Sequence, residues 1–303
     1  MVHPILILDG GMSRELVAFG AELRQPEWSA LALMNRPEVV ERVHRAFIDA
    51  GADVVTTNSY ALVPFHIGEA RFWSEAATLA DRAGRLARTA ADASKRSVQV
   101  AGSLPPLFGS YEPQKFDAGR APGLLGLLVP ALAPYVDLWL GETLSLIAEA
   151  EAVCTAVAPT GKPVWISFTL EDTERGGVPR LRSGEPVTEA AEWLATKSSA
   201  EALLFNCSHP EVMAGAVEGA RPVLDRLRTG VRIGVYANAF APSENDGAAN
   251  ETLSAVRRDL GPDRYVAAAV EWVAAGASVV GGCCGIGCQH IGALSGRFTA
   301  ENA

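Results

Sequence analysis

The sequence lacks the marks of a nucleic-acid-binding, membrane or exported chain. Lys and Arg number 26 against 35 Asp and Glu, a formal net charge of −9. That balance argues against a polyanionic partner such as DNA. The longest uncharged stretch, APGLLGLLVPALAPYV at 121–136, is too short for a usual membrane span and carries Pro122, Pro130 and Pro134. A buried helix, or a helix and a loop, is expected there. The opening MVHPILILDGG has no basic segment and only a short apolar run ending at Asp9. No export leader is therefore expected, and the chain is expected in the cytoplasm. Five cysteines, an odd number in 303 residues, do not read as a disulfide framework. They fit a reducing compartment, where thiols bind metals or sit in the core. No linker rich in Pro, Gly or Ser divides the chain, and no Gly-rich nucleotide fingerprint follows any strand candidate.

What is present is alternation. Short apolar runs at 5–8, 53–57, 98–102, 136–140, 164–168, 202–206, 232–236 and 278–282 read as strands buried on both faces. Helical patterns lie between them, for example at 37–51, 75–94, 145–158 and 265–276, with Gly51 and Gly276 as C-terminal stops. Eight strand–helix units in about 300 residues predict an α/β fold, a (β/α)8 TIM barrel forming one domain over residues 1–303. A doubly wound open sheet is the alternative, weakened by the missing nucleotide fingerprint.

On a barrel the residues just past each strand face one mouth, where active sites form. Here they include Asp9-Gly10-Gly11, Asn58-Ser59-Tyr60, Gly102-Ser103, Gly141-Glu142-Thr143, Asn206-Cys207, Tyr236-Ala237-Asn238 and Cys283-Cys284. Cys207 follows the sixth strand, and Cys283 and Cys284 follow the eighth. Three thiolates converging at one rim would make a zinc site with metal–sulfur distances of about 2.3 Å. Adjacent cysteines reach one metal only through irregular backbone, which Gly281, Gly282, Gly285 and Gly287 would permit. The alternatives are buried apolar cysteines or a vicinal Cys283–Cys284 disulfide. Cys154, among alanines and valines in a helical segment, reads as core. Cys288 is more readily core than a fourth ligand.

Three thiolates around zinc leave a net negative centre. It is a poor activator of water, and hydrolytic zinc sites more often use histidines. A soft centre suits a soft ligand, a substrate thiol, which it would hold deprotonated yet nucleophilic. Alkyl transfer to a thiol is the expected reaction. Zinc deaminases combine a His-x-Glu motif with a Cys-x-x-Cys pair, and no Cys-x-x-Cys pair occurs.

The segments LDGGMSREL (8–16), EWSALAL (27–33), GADVVTTNSY (51–60), AGSLPP (101–106), DLWLGETLSLIAEAEA (137–152), FNCSHPEVM (205–213), VYANAF (235–240) and GGCCGIGCQHI (281–291) occur in this order. Through them the chain resembles the homocysteine S-methyltransferases over nearly its whole length. The resemblance implies zinc held by Cys207, Cys283 and Cys284, with homocysteine sulfur in the fourth position. It implies that Asp9 and Glu142 hold the substrate ammonium and that the amides of Gly10 and Gly11 receive its carboxylate. Asn58, Tyr236 and Asn238 are weaker substrate-binding candidates. The product would be methionine.

An activated methyl donor is required. S-methylmethionine or S-adenosylmethionine is favoured, with betaine as an alternative. The folate and cobalamin routes generally need further domains. Trp28 is a candidate cation-binding face. The chain departs from the family pattern at Ser13-Arg14, Ala237, Phe240 and Cys288, and in a shorter, less polar segment from about 111 to 136. Rival readings are another thiol or selenol acceptor, a zinc hydrolase or lyase, and a barrel whose zinc is only structural.

Overall fold

The computed structural model describes residues 4–172, 177–228, 230–240 and 257–299. The apolar runs form eight parallel strands: β1 (Leu6–Ile7), β2 (Val54–Thr56), β3 (Gln99–Leu104), β4 (Leu138–Leu144), β5 (Val164–Phe168), β6 (Ala202–Asn206), β7 (Arg232–Tyr236) and β8 (Val279–Val280). They pair in the order β1-β8-β7-β6-β5-β4-β3-β2, and a parallel bridge from Leu8 to Val54 closes the ring. This is the predicted (β/α)8 barrel, in which closure removes the unpaired edges of an open sheet.

Helices connect the strands. α1 (Met12–Ala18), α2 (Ser29–Asn35) and α3 (Pro37–Asp49) lead to β2, and α4 (Pro64–Ile67) and α5 (Glu69–Asp92) lead to β3. α6 (Ala121–Leu132), α7 (Ile147–Val157), α8 (Val187–Lys197) and α9 (Pro210–Leu227) follow β3, β4, β5 and β6 in turn. α10 (Pro262–Ala275) precedes β8, and α11 (Cys288–Thr299) follows it. Prolines open α3, α9 and α10, where a missing N–H costs nothing. α5 buries Phe72, Ala76, Leu79, Ala80, Ala83 and Ala87, a stripe at helical spacing that faces the sheet. The uncharged stretch became α6, with Leu124, Leu125, Leu128 and Leu132 buried. Among the described residues no helix is long and apolar enough to cross a membrane.

Strand alternation decides what fills the barrel. Val54, Ala101, Leu138, Leu140, Trp165, Ala202 and Leu204 pack together inside it, apart from the larger core between strands and helices. Two residues further along five of the strands, the inward positions turn polar: Thr56, Ser103, Glu142, Ser167 and Asn206. Polarity thus begins at the C-terminal mouth.

Three strand ends near the mouth differ from expectation. β3 and β4 run on to Leu104 and Leu144, so Ser103, Glu142 and Thr143 are strand residues rather than loop residues. β4 keeps its pairing through a register shift between Gly141 and Leu144. There Thr143 takes φ 60°, and its N–H is donated to Asn206 Oδ1 at 2.9 Å. A polar partner inside the barrel extends a strand that apolar patterning ends early. β8 stops at Val280, before Gly281 and Gly282 turn over β1. A Cβ on Gly281 would lie 2.6 Å from Leu8 Cβ, so only glycine allows that approach.

Candidate metal centre and substrate pocket

Cys207 sits immediately after β6 with φ 52°, a left-handed conformation uncommon for a residue with a side chain. Cys283 and Cys284 lie in the turn after β8, bonded to the neighbouring segment by Cys283 N–H to Ala237 O (2.9 Å) and Ala239 N–H to Cys284 O (2.8 Å). A Cβ on Gly11 would fall 2.4 Å from the Cys283 carbonyl oxygen, so the turn after β1 rests directly on the cysteine pair. The three sulfurs lie within 4.8 Å of one another, and those of Cys207 and Cys284 are 3.8 Å apart. Four sulfurs about 2.3 Å from a central zinc would be spaced about 3.8 Å apart, which is the Cys207–Cys284 spacing, and Cys283 lies close enough to supply a third corner of the tetrahedron. The fourth corner has no protein sulfur among the described residues. Cys288 opens α11 outside the trio, its N–H on Glu15 Oε1 at 3.1 Å, and burial pushes its thiol up to about 12. Cys154 lies in α7, its thiol raised to about 11 by burial.

Hydrogen bonds polarise the trio unevenly. Hydrogen bonding with the Cys283 and Cys284 thiols, helped by donation from the Tyr111 hydroxyl at 2.9 Å, holds the Cys207 thiol well below its usual range. The Cys283 and Cys284 thiols are correspondingly raised.

Two carboxylates flank the cysteines. Glu142 accepts a short hydrogen bond from the Ser103 hydroxyl at Oε1 and a longer one from the Tyr236 hydroxyl at Oε2, 3.4 Å. Burial pushes it up to about 7, with the charge on Cys207 adding to the rise. Asp9 accepts the Thr56 N–H at 2.7 Å and the Thr56 hydroxyl at 2.9 Å. Burial carries it to about 8 against those bonds, and the Glu142 charge raises it further. Two buried acids without a cationic partner among the described residues are suited to an incoming ammonium.

The other expected site residues divide. Tyr236 points into the barrel beside Glu142. Gly11 N–H is already donated to the Ile286 carbonyl at 2.8 Å, which leaves Gly10 as the free amide of that turn among the described residues. Asn58 donates its side-chain amide to the Ser29 carbonyl at 3.2 Å, and Asn238 accepts the Phe240 N–H at 3.1 Å. Both organise the rim loops. His209 caps α9, and His290 lies in α11 against the Leu260 carbonyl, so neither joins the sulfurs. Trp28 and Phe240 line a recess beside Cys284 with Gly11, Ser13 and Arg14.

Sequence reading passed over Tyr111, Thr56 and Ser167. The two-residue period counted inward from Val54 and Trp165 finds Thr56 and Ser167. No such signal marks Tyr111, which reaches Cys207 from a loop.

Residues 6–298 match the family model for homocysteine S-methyltransferase. The homocysteine S-methyltransferase of Escherichia coli (strain K12) is 31% identical over 323 residues, covering 97% of this chain and 95% of that protein. Homocysteine S-methyltransferase 1 of Arabidopsis thaliana is 29% identical over 317 residues, covering 95% of this chain and 92% of that protein. The crystal structure of the homocysteine methyltransferase MmuM from Escherichia coli, metallated form, matches with a TM-score of 0.77 at 29% identity, covering 97% of this chain and 96% of that one.

Proposed function

The chain belongs to the homocysteine S-methyltransferase family, and from that premise we propose how its one barrel domain methylates homocysteine to methionine. We assign zinc to Cys207, Cys283 and Cys284. When bound, it supplies a soft Lewis acid that favours the thiolate form of the substrate thiol at neutral pH. The observation that carries this reading is the trio of sulfurs within 4.8 Å of one another, beside two buried carboxylates that have no cationic partner among the described residues.

Asp9 and Glu142 hold the homocysteine ammonium, and the Gly10 N–H receives its carboxylate. Tyr236 and Ser103 orient Glu142 through their hydroxyls. Asn58 and Asn238 contribute by shaping the rim. The homocysteine sulfur attacks a methyl carbon in line. A new S–CH3 bond forms, the bond from that carbon to the donor heteroatom breaks, and its electron pair leaves with the donor. A sulfonium such as S-methylmethionine or S-adenosylmethionine departs as a neutral sulfide. The Trp28 and Phe240 rings beside Cys284 suit a cationic donor. The substrates are small molecules, and the reduced thiols fit the cytoplasm.

Zinc-edge X-ray absorption on reduced, zinc-loaded protein tests this reading. Three sulfur ligands without homocysteine and four with it are expected. Four sulfurs in both states, or no stoichiometric zinc, would overturn it. A donor screen following methionine formation then separates sulfonium donors from betaine, and homocysteine from other thiols or selenols.

A further inference from the structure

The three sulfurs stand in an acidic pocket, and few side chains hydrogen-bond to them. Apart from the thiols themselves, the side chains that do so among the described residues are Asn206, whose Nδ2 approaches Cys283 Sγ at 3.8 Å, and Tyr111, whose hydroxyl donates to Cys207 Sγ at 2.9 Å. Tyr111 is not part of the barrel wall. It lies in the loop after β3 with φ 65°, a conformation costly for a large side chain and one that persists only where the surroundings enforce it.

The surroundings are explicit. The Arg182 guanidinium lies over the Tyr111 ring, 5.1 Å from its centroid. Arg182 Nη2 is 3.0 Å from Asp172 Oδ2. The other Asp172 oxygen accepts the His209 N–H at 2.7 Å. His209 caps α9 two residues after Cys207. The contacts therefore form a closed circuit that leaves Cys207 through the backbone and returns to its sulfur through Asp172, Arg182 and Tyr111. At both ends of the short hydrogen bond the backbone is left-handed, at Cys207 and at Tyr111.

The geometry points to Tyr111 as a positioning residue for the metal centre, its hydroxyl fixing the Cys207 sulfur and drawing charge from it, with Arg182 and Asp172 clamping the ring. This rests on the metal assignment above and extends it. Three thiolates on a divalent cation carry a net charge of about −1, and a substrate thiolate would deepen it to about −2. A hydrogen bond to a ligand sulfur tempers that charge and holds the ligand in one orientation. A cation over the ring face strengthens the hydroxyl as a donor.

Tyr111→Phe removes the hydroxyl and keeps the ring under Arg182. The test loads reduced wild-type protein, Tyr111→Phe and Arg182→Gln with cobalt(II), then records the sulfur-to-metal charge-transfer band. Metal affinity is measured by competition with a chromogenic chelator. In Tyr111→Phe the band is expected at lower energy, because the sulfur becomes a stronger electron donor, and affinity is expected to fall by about 10- to 100-fold, because Cys207 loses its fixed orientation. Arg182→Gln should move the band the same way by less. A Tyr111→Phe band and affinity equal to wild type would overturn the tyrosine's role. An unmoved Arg182→Gln band would overturn the clamp and, should Tyr111→Phe not fold, would decide against the proposal by itself. A wild-type protein with no sulfur band would overturn the metal assignment along with it, so the two failures read differently.

Discussion

The sulfurs of Cys207 and Cys284 lie 3.8 Å apart, although 77 residues separate them in the chain. β6 and the turn after β8 bring them to one mouth, with Cys283 completing the trio. Replacing any one by alanine removes a third of the donor set. Cys207→Ala, Cys283→Ala and Cys284→Ala are each expected to lose bound zinc on dialysis and to bring methyl transfer to background, with circular dichroism unchanged. Cys154→Ala and Cys288→Ala should retain both metal and activity, because neither thiol reaches the cluster. Normal turnover in any of the first three would refute the ligand set.

Glu142 is the acid whose titration substrate binding should report. Burial places it at about 7. An ammonium ligand selects the carboxylate forms of Glu142 and Asp9, so affinity should rise with pH through about 7, where Glu142 ionises, and on through about 8, where Asp9 does. Methionine is the right probe, since it carries the ammonium and has no thiol to titrate. One pH unit below the Glu142 pKa, protonation of Glu142 alone should lower the affinity about tenfold. Glu142→Gln should weaken methionine binding by roughly 1.5–3 kcal/mol, the range for hydrogen bonds to charged groups, and reduce the pH dependence to the part that Asp9 contributes. Calorimetric titration at pH 6 and pH 8 checks both. A variant that keeps the wild-type affinity would remove Glu142 from the ammonium site.

The alternation of apolar runs and helical patterns was enough to read the barrel, because a strand buried on both faces leaves a plain signal. The cysteine trio was legible because barrel geometry sends the ends of the sixth and eighth strands to one rim. Other features were hidden for physical reasons. Glu142 lies in β4, not past it, because Asn206 satisfies the Thr143 N–H from inside the barrel, a partner 63 residues away. Tyr111 was not legible because its contact with Cys207 depends on a loop turning into a left-handed conformation. The commitment of Gly11 N–H to Ile286 is likewise a tertiary bond with no local trace. Of the amides expected to meet the substrate carboxylate, it leaves Gly10.

Gly281 couples fold to site. A Cβ there would lie 2.6 Å from Leu8 Cβ and 3.0 Å from the Leu8 carbonyl oxygen, and neither belongs to a flexible side-chain end. Gly281→Ala must therefore push the turn after β8 away from β1, carrying Cys283 with it. Overpacking of this kind costs about 1–3 kcal/mol. Urea denaturation should show the loss in midpoint, and the chelator competition a weaker metal site. A stable Gly281→Ala protein with unaltered metal affinity would show that the turn is free to move without consequence.

Glu149 offers a stability test remote from the sulfurs. It stands in the first turn of α7, buried, with Oε2 accepting the Ser145 N–H at 2.6 Å. Burial raises it from 4.5 to about 7, and the nearby Glu185 charge adds to the rise. Between these values the folded protein holds a proton that the unfolded chain has released. The protonated acid thus supports the fold fully below about pH 4.5, and its support is lost as pH rises through about 7. Glutamine keeps an acceptor for the Ser145 N–H and cannot ionise. Glu149→Gln should therefore gain on wild type as pH rises, by on the order of 1–3 kcal/mol at pH 8 relative to pH 4.5. Comparing the two proteins at each pH cancels the contributions of Asp9 and Glu142, which titrate in both. Urea midpoints at pH 4.5 and pH 8 measure the difference, and a stability gap that stays constant between them would mean that Glu149 titrates in the folded protein as it does in the unfolded chain.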